Sequence, residues 1–365
     1  MTSISNETLN EKGADARFRL LFLQDFESPL IFKHGKIMLQ ITHEQIESFQ
    51  TFLSSHQSFV IIGHKEPDGD CVACSLGMSF ILRHLNKKYT LVNAGPFKRT
   101  EIRPYEKYFQ TDIMTMTRAE KSSSGLIMVD CSEYSRLGDI GNELKNMDTF
   151  IIDHHKTSVA DAKKSIIDST SPAAACLVQQ LYEILVGPPT EKAAHILFFG
   201  MATDTGFFRY LNEKDSLVLE SAARLTEAGV NPRTVYQEMT GGKPWSTRKL
   251  LAILLDRAQR YCSGKLVVTY EEQADTRKYG QEGRDSDALY SLMLATEGVE
   301  AVLFMRQDTD HSCTAGFRSV KDCDVSLIAA KFGGGGHKNA SGASIEGQID
   351  IIMPQIIKEF EKVLL

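Results

Sequence analysis

Apolar positions along the chain alternate between a helical period and short continuous runs. From Ile41 they recur at helical spacing, and Phe59-Val60-Ile61-Ile62 then reads as a buried strand that ends in the polar cluster His64 to Asp70. A helix rich in small and apolar residues follows to about Leu85, and further apolar strands fall at residues 89–93, 126–129 and 149–152. Helix-like or turn-rich stretches separate them. Strands that are apolar throughout need cover on both faces, so this alternation predicts an α/β first domain with a parallel sheet and helices on each side.

Three more helices are predicted over residues 173–186, closed by Gly187-Pro188-Pro189, over 190–201, and over 215–228, stopped by Gly229. Pro232, Gly241, Gly242 and Pro244 then crowd into one stretch, which places a domain boundary there, bridged by a helix over 246–261. Strand-like runs at 266–270, 301–305 and 313–317 come next, followed by a helix, a glycine run, a short strand and a closing helix from Ile349. The pattern predicts a smaller, mixed-sheet α/β domain. Ahead of all this, residues 1 to about 45 form an extension whose one readable feature is a pair of apolar runs about Lys33-His34-Gly35, which fits a hairpin.

Length agrees with two domains, since 365 residues at 42% hydrophobic content exceed what one core usually organises. Lysine and arginine total 41 against 47 acidic residues, a formal charge of -6, and no block of like charge is long enough for a nucleic-acid arm. Long duplex nucleic acid needs many phosphate contacts on a basic surface, so it is excluded as a partner and small anionic substrates are expected. Seven irregularly spaced cysteines make no disulfide framework and suit a reducing, cytoplasmic compartment. The apolar run at residues 20–23 is too short and wrongly flanked for a signal peptide, and no stretch is apolar enough for a membrane span, so no membrane partner is expected.

The chemistry sits where first-domain strands end, the place open α/β sheets bind ligands. The first such end carries His64-Lys65-Glu66-Pro67-Asp68-Gly69-Asp70, the second Asp130, and the third Asp153-His154-His155. Asp204 follows an apolar helix in Ala202-Thr203-Asp204-Thr205-Gly206. Many carboxylates with few imidazoles suit Mn²⁺ or Mg²⁺ better than a closed, thiolate-rich zinc site. Such a set can hold two cations, which clamp the attacking and leaving oxygens of a phosphoryl displacement. Hydrolysis of a phosphoester is the reaction expected. Each motif alone has a plainer reading: Asp-Gly-Asp is commonly a turn, a histidine pair commonly packing, and a glycine run commonly a loop. Cys71-Val72-Ala73-Cys74 has a redox or zinc spacing, yet opens a buried-looking helix where packing is the better reading. His34, His43, His56, His84, His195 and His311 have no partner constellation.

Taken in order, these residues resemble the four motifs of the DHH phosphoesterases, and Gly333-Gly334-Gly335-Gly336-His337-Lys338-Asn339-Ala340-Ser341-Gly342 is similar to the substrate motif of the DHH-associated C-terminal domain. The resemblance spans about residues 45–365. It implies a catalytic domain over 46–230, a linker and connecting helix over 231–262, and a substrate-binding domain over 263–365. It further implies His64 and Asp68 on one metal, Asp70, His154 and Asp204 on the other, and Asp130 bridging both. His155 would lie at the scissile phosphate, and Asp153 would orient its histidine neighbours. Glycine backbone at Gly334, Gly335 and Gly336 can approach an anion closely, with His337, Lys338 and Arg318 as cationic donors and Arg209 either on substrate phosphate or on a local carboxylate. The aromatics beside Arg209 are either core or a surface on which a base stacks.

Within that family the length and domain complement resemble the compact nanoRNases. Their expected substrates are short RNA, including dinucleotides, and phosphorylated adenosine nucleotides such as 3′-phosphoadenosine 5′-phosphate, and the resemblance also implies a homodimer. An alternative is a soluble phosphodiesterase for linear dinucleotides from cyclic-dinucleotide turnover; one of another class is a non-catalytic nucleotide-binding regulator, which the intact ligand set argues against. Ala73-Cys74 departs from the Gly-Ser usual at that point, and the N-terminal extension has no counterpart in the family pattern.

Overall fold

The structure, a computed structural model, describes residues 31–32, 35–36 and 40–365, except 114–115, 156–163, 281–284 and 321. Residues 1–30, 33–34 and 37–39 of the expected N-terminal extension, including the apolar run at residues 20–23, lie outside the described residues. The hairpin expected there is present as β1 (Ile31–Phe32) paired antiparallel with β2 (Gly35–Lys36). The chain divides into two compact units, the first ending at Gly241 and the second beginning at Gly242.

In the first unit β3 (Ser58–Ile62), β4 (Lys88–Val92), β5 (Gly125–Val129), β6 (Asp148–Asp153) and β7 (Ser165–Ile167) form one sheet in the order β4-β3-β5-β6-β7. Every pair is parallel. The pleat sorts the apolar runs: Phe59, Ile61, Ile127 and Val129 enter one buried cluster, and Val60, Ile62, Leu126 and Met128 enter another on the opposite face. That division is why these strands are apolar throughout and do not alternate with polar residues.

The helix Gly69–His84 is buried nearly all round, against the sheet and against the helices Ala174–Leu185 and Glu191–Asp204. Small residues permit this. A Cβ on Gly77 would stand 2.9 Å from both Leu197 and Val178, and one on Gly200 would stand 2.5 Å from the Ala73 methyl. Cys71 and Cys74 are fully buried here, so the packing reading of that spacing holds. Burial also pushes both thiols above their ordinary range.

The stretch expected to be linker contains a further helix, Pro232–Thr240. Pro232 starts it: at the first helical position proline lacks only an N–H that would go unused, and Asn231 caps the next two residues. The following helix, Trp245–Asp256, is shorter than expected because residues 259–261 pair as a strand instead, and Cys262, Ser263 and Gly264, all at left-handed φ, then turn the chain back. That reversal makes β8 (Gln259–Tyr261) an edge strand on β9 (Leu266–Glu271). With β10 (Ala301–Thr309), β11 (Ser312–Ser319), β12 (Gly335–His337) and β13 (Ala340–Glu346), the second unit builds a sheet ordered β12-β13-β11-β10-β9-β8. It is mixed: β9 and β10 are parallel and the remaining pairs antiparallel. The closing helix Ile349–Leu364 packs Ile352, Ile356 and Phe360 into the core of this unit. No helix among the described residues is long and apolar enough to cross a membrane.

Candidate active site

The six metal-ligand candidates of the first unit converge at the carboxyl ends of its central strands. His64 follows β3, Asp130 follows β5, and Asp153 ends β6 just before His154. Asp68 and Asp70 stand at the start of the helix Gly69–His84, where the Asp68 carboxylate accepts the Cys71 N–H at 3.1 Å and so fixes the helix start. Asp204 is the last residue of the helix Glu191–Asp204. Gly69 lets the two helix ends meet, because a Cβ there would lie 2.3 Å from the Thr203 hydroxyl. Gly69→Ala therefore forces these ends apart; we expect a loss of about 1–3 kcal/mol in urea unfolding, together with weaker cation binding by calorimetry.

Asp130 is the centre of the arrangement. It takes a left-handed φ of +55°, is 2% exposed, and sets one carboxylate oxygen 3.4 Å from His64 Nε2 and the other 3.4 Å from His154 Nε2. On the His64 side Asp68 lies 3.7 Å from the same Nε2. On the His154 side Asp204 lies at 3.3 Å and Asp70 at 4.0 Å. Donor atoms of Asp70, His154 and Asp204 fall within 4.8 Å of one another, as do those of Asp130, His154 and His155 and those of His64, Cys71 and Asp130.

The imidazole orientations decide what this cluster fits. His64 Nδ1 lies 2.9 Å from the Lys65 carbonyl and His154 Nδ1 lies 3.0 Å from the Ser171 carbonyl. A carbonyl only accepts, so each Nδ1 carries the hydrogen and a neutral ring turns its Nε2 lone pair toward carboxylate oxygens. Lone pairs face each other unless a proton or a cation lies between. Without a cation the answer is a proton: burial opposes a charge on His154, but Asp130 and Asp204 outweigh it and hold its pKa up at about 12. Asp70 is held well above the usual carboxylate range by its complete burial and then by the charges of Asp130 and Asp204. Asp204 is raised by burial and by Asp68 and Asp130, against the pull of His154. Asp130 Oδ1 is buried with no hydrogen bond. Buried carboxylates and imidazole lone pairs aimed at one space fit hard or borderline divalent cations.

His155 is held differently. Its Nδ1 lies 2.7 Å from Asp153 Oδ1, which also accepts the His154 N–H at 2.8 Å and the His155 N–H at 3.3 Å. Burial opposes ionisation of Asp153, but these contacts to His155 outweigh it and keep the carboxyl below the usual range. The His155 ring is therefore fixed with Nδ1 bound and Nε2 available.

The supporting contacts carried little sequence signal. Asp70 accepts the N–H groups of Ala174 at 2.6 Å and Ala175 at 2.9 Å, backbone donors more than a hundred residues away. Buried Asn93 donates to the His64 carbonyl at 3.0 Å and accepts the Gly95 N–H at 2.8 Å, which fixes the loop that carries His64. A buried polar residue ending an apolar strand was the available clue. Two histidines without an expected partner have one: His56 lies 3.0 Å from Asp148 and His195 lies 2.8 Å from Glu238.

The remaining candidates group separately. Arg209, soon after Asp204, donates Nε to the Gly206 carbonyl at 2.8 Å. In the second unit Arg318 on β11 and His337 on β12 both stand in register with Ala340 on β13, so they share one face of the sheet. Arg318 lies over the Tyr290 ring at 4.6 Å and 3.9 Å from Asp287. Gly335 and Gly336 belong to exposed β12, and Gly334 precedes it against the Gly342 carbonyl, which a Cβ would approach to 2.2 Å. Lys338 is exposed and lies 3.2 Å from Asp322.

Residues 58–201 match the DHH family N-terminal domain, and residues 253–364 match the DHHA1 domain. The chain belongs to the DHH superfamily. It is 29% identical over 290 residues to the bifunctional oligoribonuclease and PAP phosphatase NrnA of Thermus thermophilus, across 79% of this chain and 84% of that protein. Its fold matches the crystal structure of an exopolyphosphatase-related protein from Bacteroides fragilis with a TM-score of 0.79 and 20% identity, covering 90% of this chain and 99% of that one. The exonuclease RecJ of Thermus thermophilus, crystallised with Mn²⁺, matches with a TM-score of 0.54 and 14% identity over 90% of this chain and 56% of RecJ. The chain is thus a metal-dependent hydrolase of phosphoester bonds in a DHH and DHHA1 architecture.

Proposed function

We propose that this chain hydrolyses oligoribonucleotides a few residues long and dephosphorylates 3′-phosphoadenosine 5′-phosphate, with two divalent cations, Mn²⁺ first and Mg²⁺ as substitute. The observation that carries the proposal is Asp130, whose two oxygens separately face His64 and His154. His64, Asp68 and Asp130 would hold one cation; Asp70, Asp130, His154 and Asp204 would hold the other. When bound, the pair would supply Lewis-acid polarisation of phosphoryl oxygens and acidify the attacking water.

The residues divide the remaining work. Asp153 accepts the Nδ1–H of the His155 ring, so the proton for the leaving oxygen comes from Nε2 of the imidazolium that this carboxylate stabilises, and the transfer leaves a neutral ring with its hydrogen on Nδ1. The NrnA likeness supports the substrate class, as does the net charge of -6, which disfavours long polyanions. The reading assigns catalysis to residues 46–230 and recognition to 263–365, where Arg318, His337, Lys338 and the N–H groups of Gly334, Gly335 and Gly336 take substrate phosphates. It includes a homodimer, which sedimentation velocity tests.

Because His154 is held protonated near neutral pH in the absence of cations, cation binding must expel that proton. Affinity then rises with pH across the neutral range, about tenfold per unit for each proton released. Calorimetry in two buffers of different ionisation enthalpy reads this directly. The substrate is tested with a panel: a ribodinucleotide, a pentaribonucleotide, a long single strand, 3′-phosphoadenosine 5′-phosphate, a linear dinucleotide from cyclic-dinucleotide turnover, and pyrophosphate. Fast turnover of the short RNAs and of the bisphosphorylated adenosine, with a slow long strand, supports the proposal; cleavage of pyrophosphate alone overturns it.

A further inference from the structure

Gly206, Phe207 and Phe208 have φ of +58°, +58° and +66°, three successive residues in the left-handed region just after Asp204. Phenylalanine resists this conformation, so neighbouring contacts must hold it. Phe207 donates its N–H to the Ala202 carbonyl at 2.6 Å, and Phe208 donates to the Thr205 hydroxyl, itself bonded to the Met201 carbonyl at 2.7 Å. Both phenyl rings pack on buried Phe198, at 6.3 and 5.5 Å between centroids. These two rings are anchors, and the turn folds the chain back on the helix end that carries Asp204.

The next aromatic residue is the product of that turn. Tyr210 donates its N–H to the Thr205 carbonyl at 3.1 Å, one residue from Asp204. Its ring lies against Gly206, where a Cβ would come within 2.4 Å, and the Arg209 guanidinium stands 5.5 Å from the ring centroid. Arg209 is itself fixed by its bond to the Gly206 carbonyl. Yet Tyr210 is 65% exposed. A ring so exposed contributes little to the core, while the contacts about it hold it in one place.

We propose that Tyr210 is a stacking surface for the nucleobase beside the scissile bond, with Arg209 directing its charge to the adjoining phosphate. An aromatic face accepts any base, and a guanidinium next to it suits the phosphate that follows. The proposal rests on the nucleotide-hydrolysis reading above.

The test compares a ribodinucleotide with the same compound lacking both bases, using wild type, Tyr210→Ala and Tyr210→Phe. The ratio of kcat/KM on the intact dinucleotide to that on the abasic one falls about tenfold or more in Tyr210→Ala, through KM, and Tyr210→Phe restores it. Equal losses on both substrates, or an unchanged ratio, overturn the stacking role. Equilibrium binding of the dinucleotide to wild type separates the two layers: a wild type that neither binds nor cleaves it defeats the nucleotide reading, whereas one that does both while the ratio stays constant defeats only Tyr210.

Discussion

Asp130→Asn abolishes Mn²⁺-dependent phosphoester hydrolysis, with kcat reduced by roughly 10³-fold or more, while the fold persists. Asparagine tolerates the left-handed φ of +55° that this position requires, so the backbone stays in place and only the shared charge is lost. In wild type each carboxylate oxygen faces a different imidazole, and an amide can offer one oxygen but not two. The same variant loses the stabilisation that cations confer. At a Mn²⁺ concentration of 100 times Kd, binding adds about 2.7 kcal/mol per site, which raises the wild-type melting temperature by several degrees. Thermal melts with and without Mn²⁺ should show that increment in wild type and not in Asp130→Asn, while the cation-free melts stay within a few degrees of each other. A wild-type increment retained in the variant would show that Asp130 does not hold the cations together.

His155→Gln gives the second large effect, a fall in kcat of about 10²- to 10³-fold with cation stoichiometry unchanged. The ring is tied through Nδ1 to Asp153, and its remaining nitrogen is the one free to pass a proton. Leaving-group dependence distinguishes this role from a loss of structure. A nitrophenyl ester departs without protonation, so the variant's deficit should shrink on that substrate and stay large on a ribonucleotide. An equal deficit on both would assign His155 to positioning or to charge stabilisation instead.

What could be read from the chain and what could not follow from where the chemistry lies. Apolar runs such as Phe59 to Ile62 announce a strand covered on both faces, and an imidazole or carboxylate at the end of three such runs announces a site, because both signals are carried by side chains. The Asp70 cradle is made of the Ala174 and Ala175 N–H groups, and alanine gives no sign of what its backbone binds. Asn93 ends an expected strand, but its role depends on folding the His64 loop across it. Pro232 read as a breaker because position decides its meaning, and it stands where a helix begins. The Tyr210 turn was hidden for a related reason: phenylalanine at two left-handed positions runs against local preference and is held there by tertiary packing on Phe198.

The central claim is that two cations share Asp130, and electron paramagnetic resonance of the Mn²⁺-loaded protein tests it most directly. The account predicts two Mn²⁺ per chain with an exchange-coupled spectrum, reduced in Asp130→Asn to an uncoupled signal. A single ion per chain, two ions without coupling, or coupling that survives the substitution would contradict it.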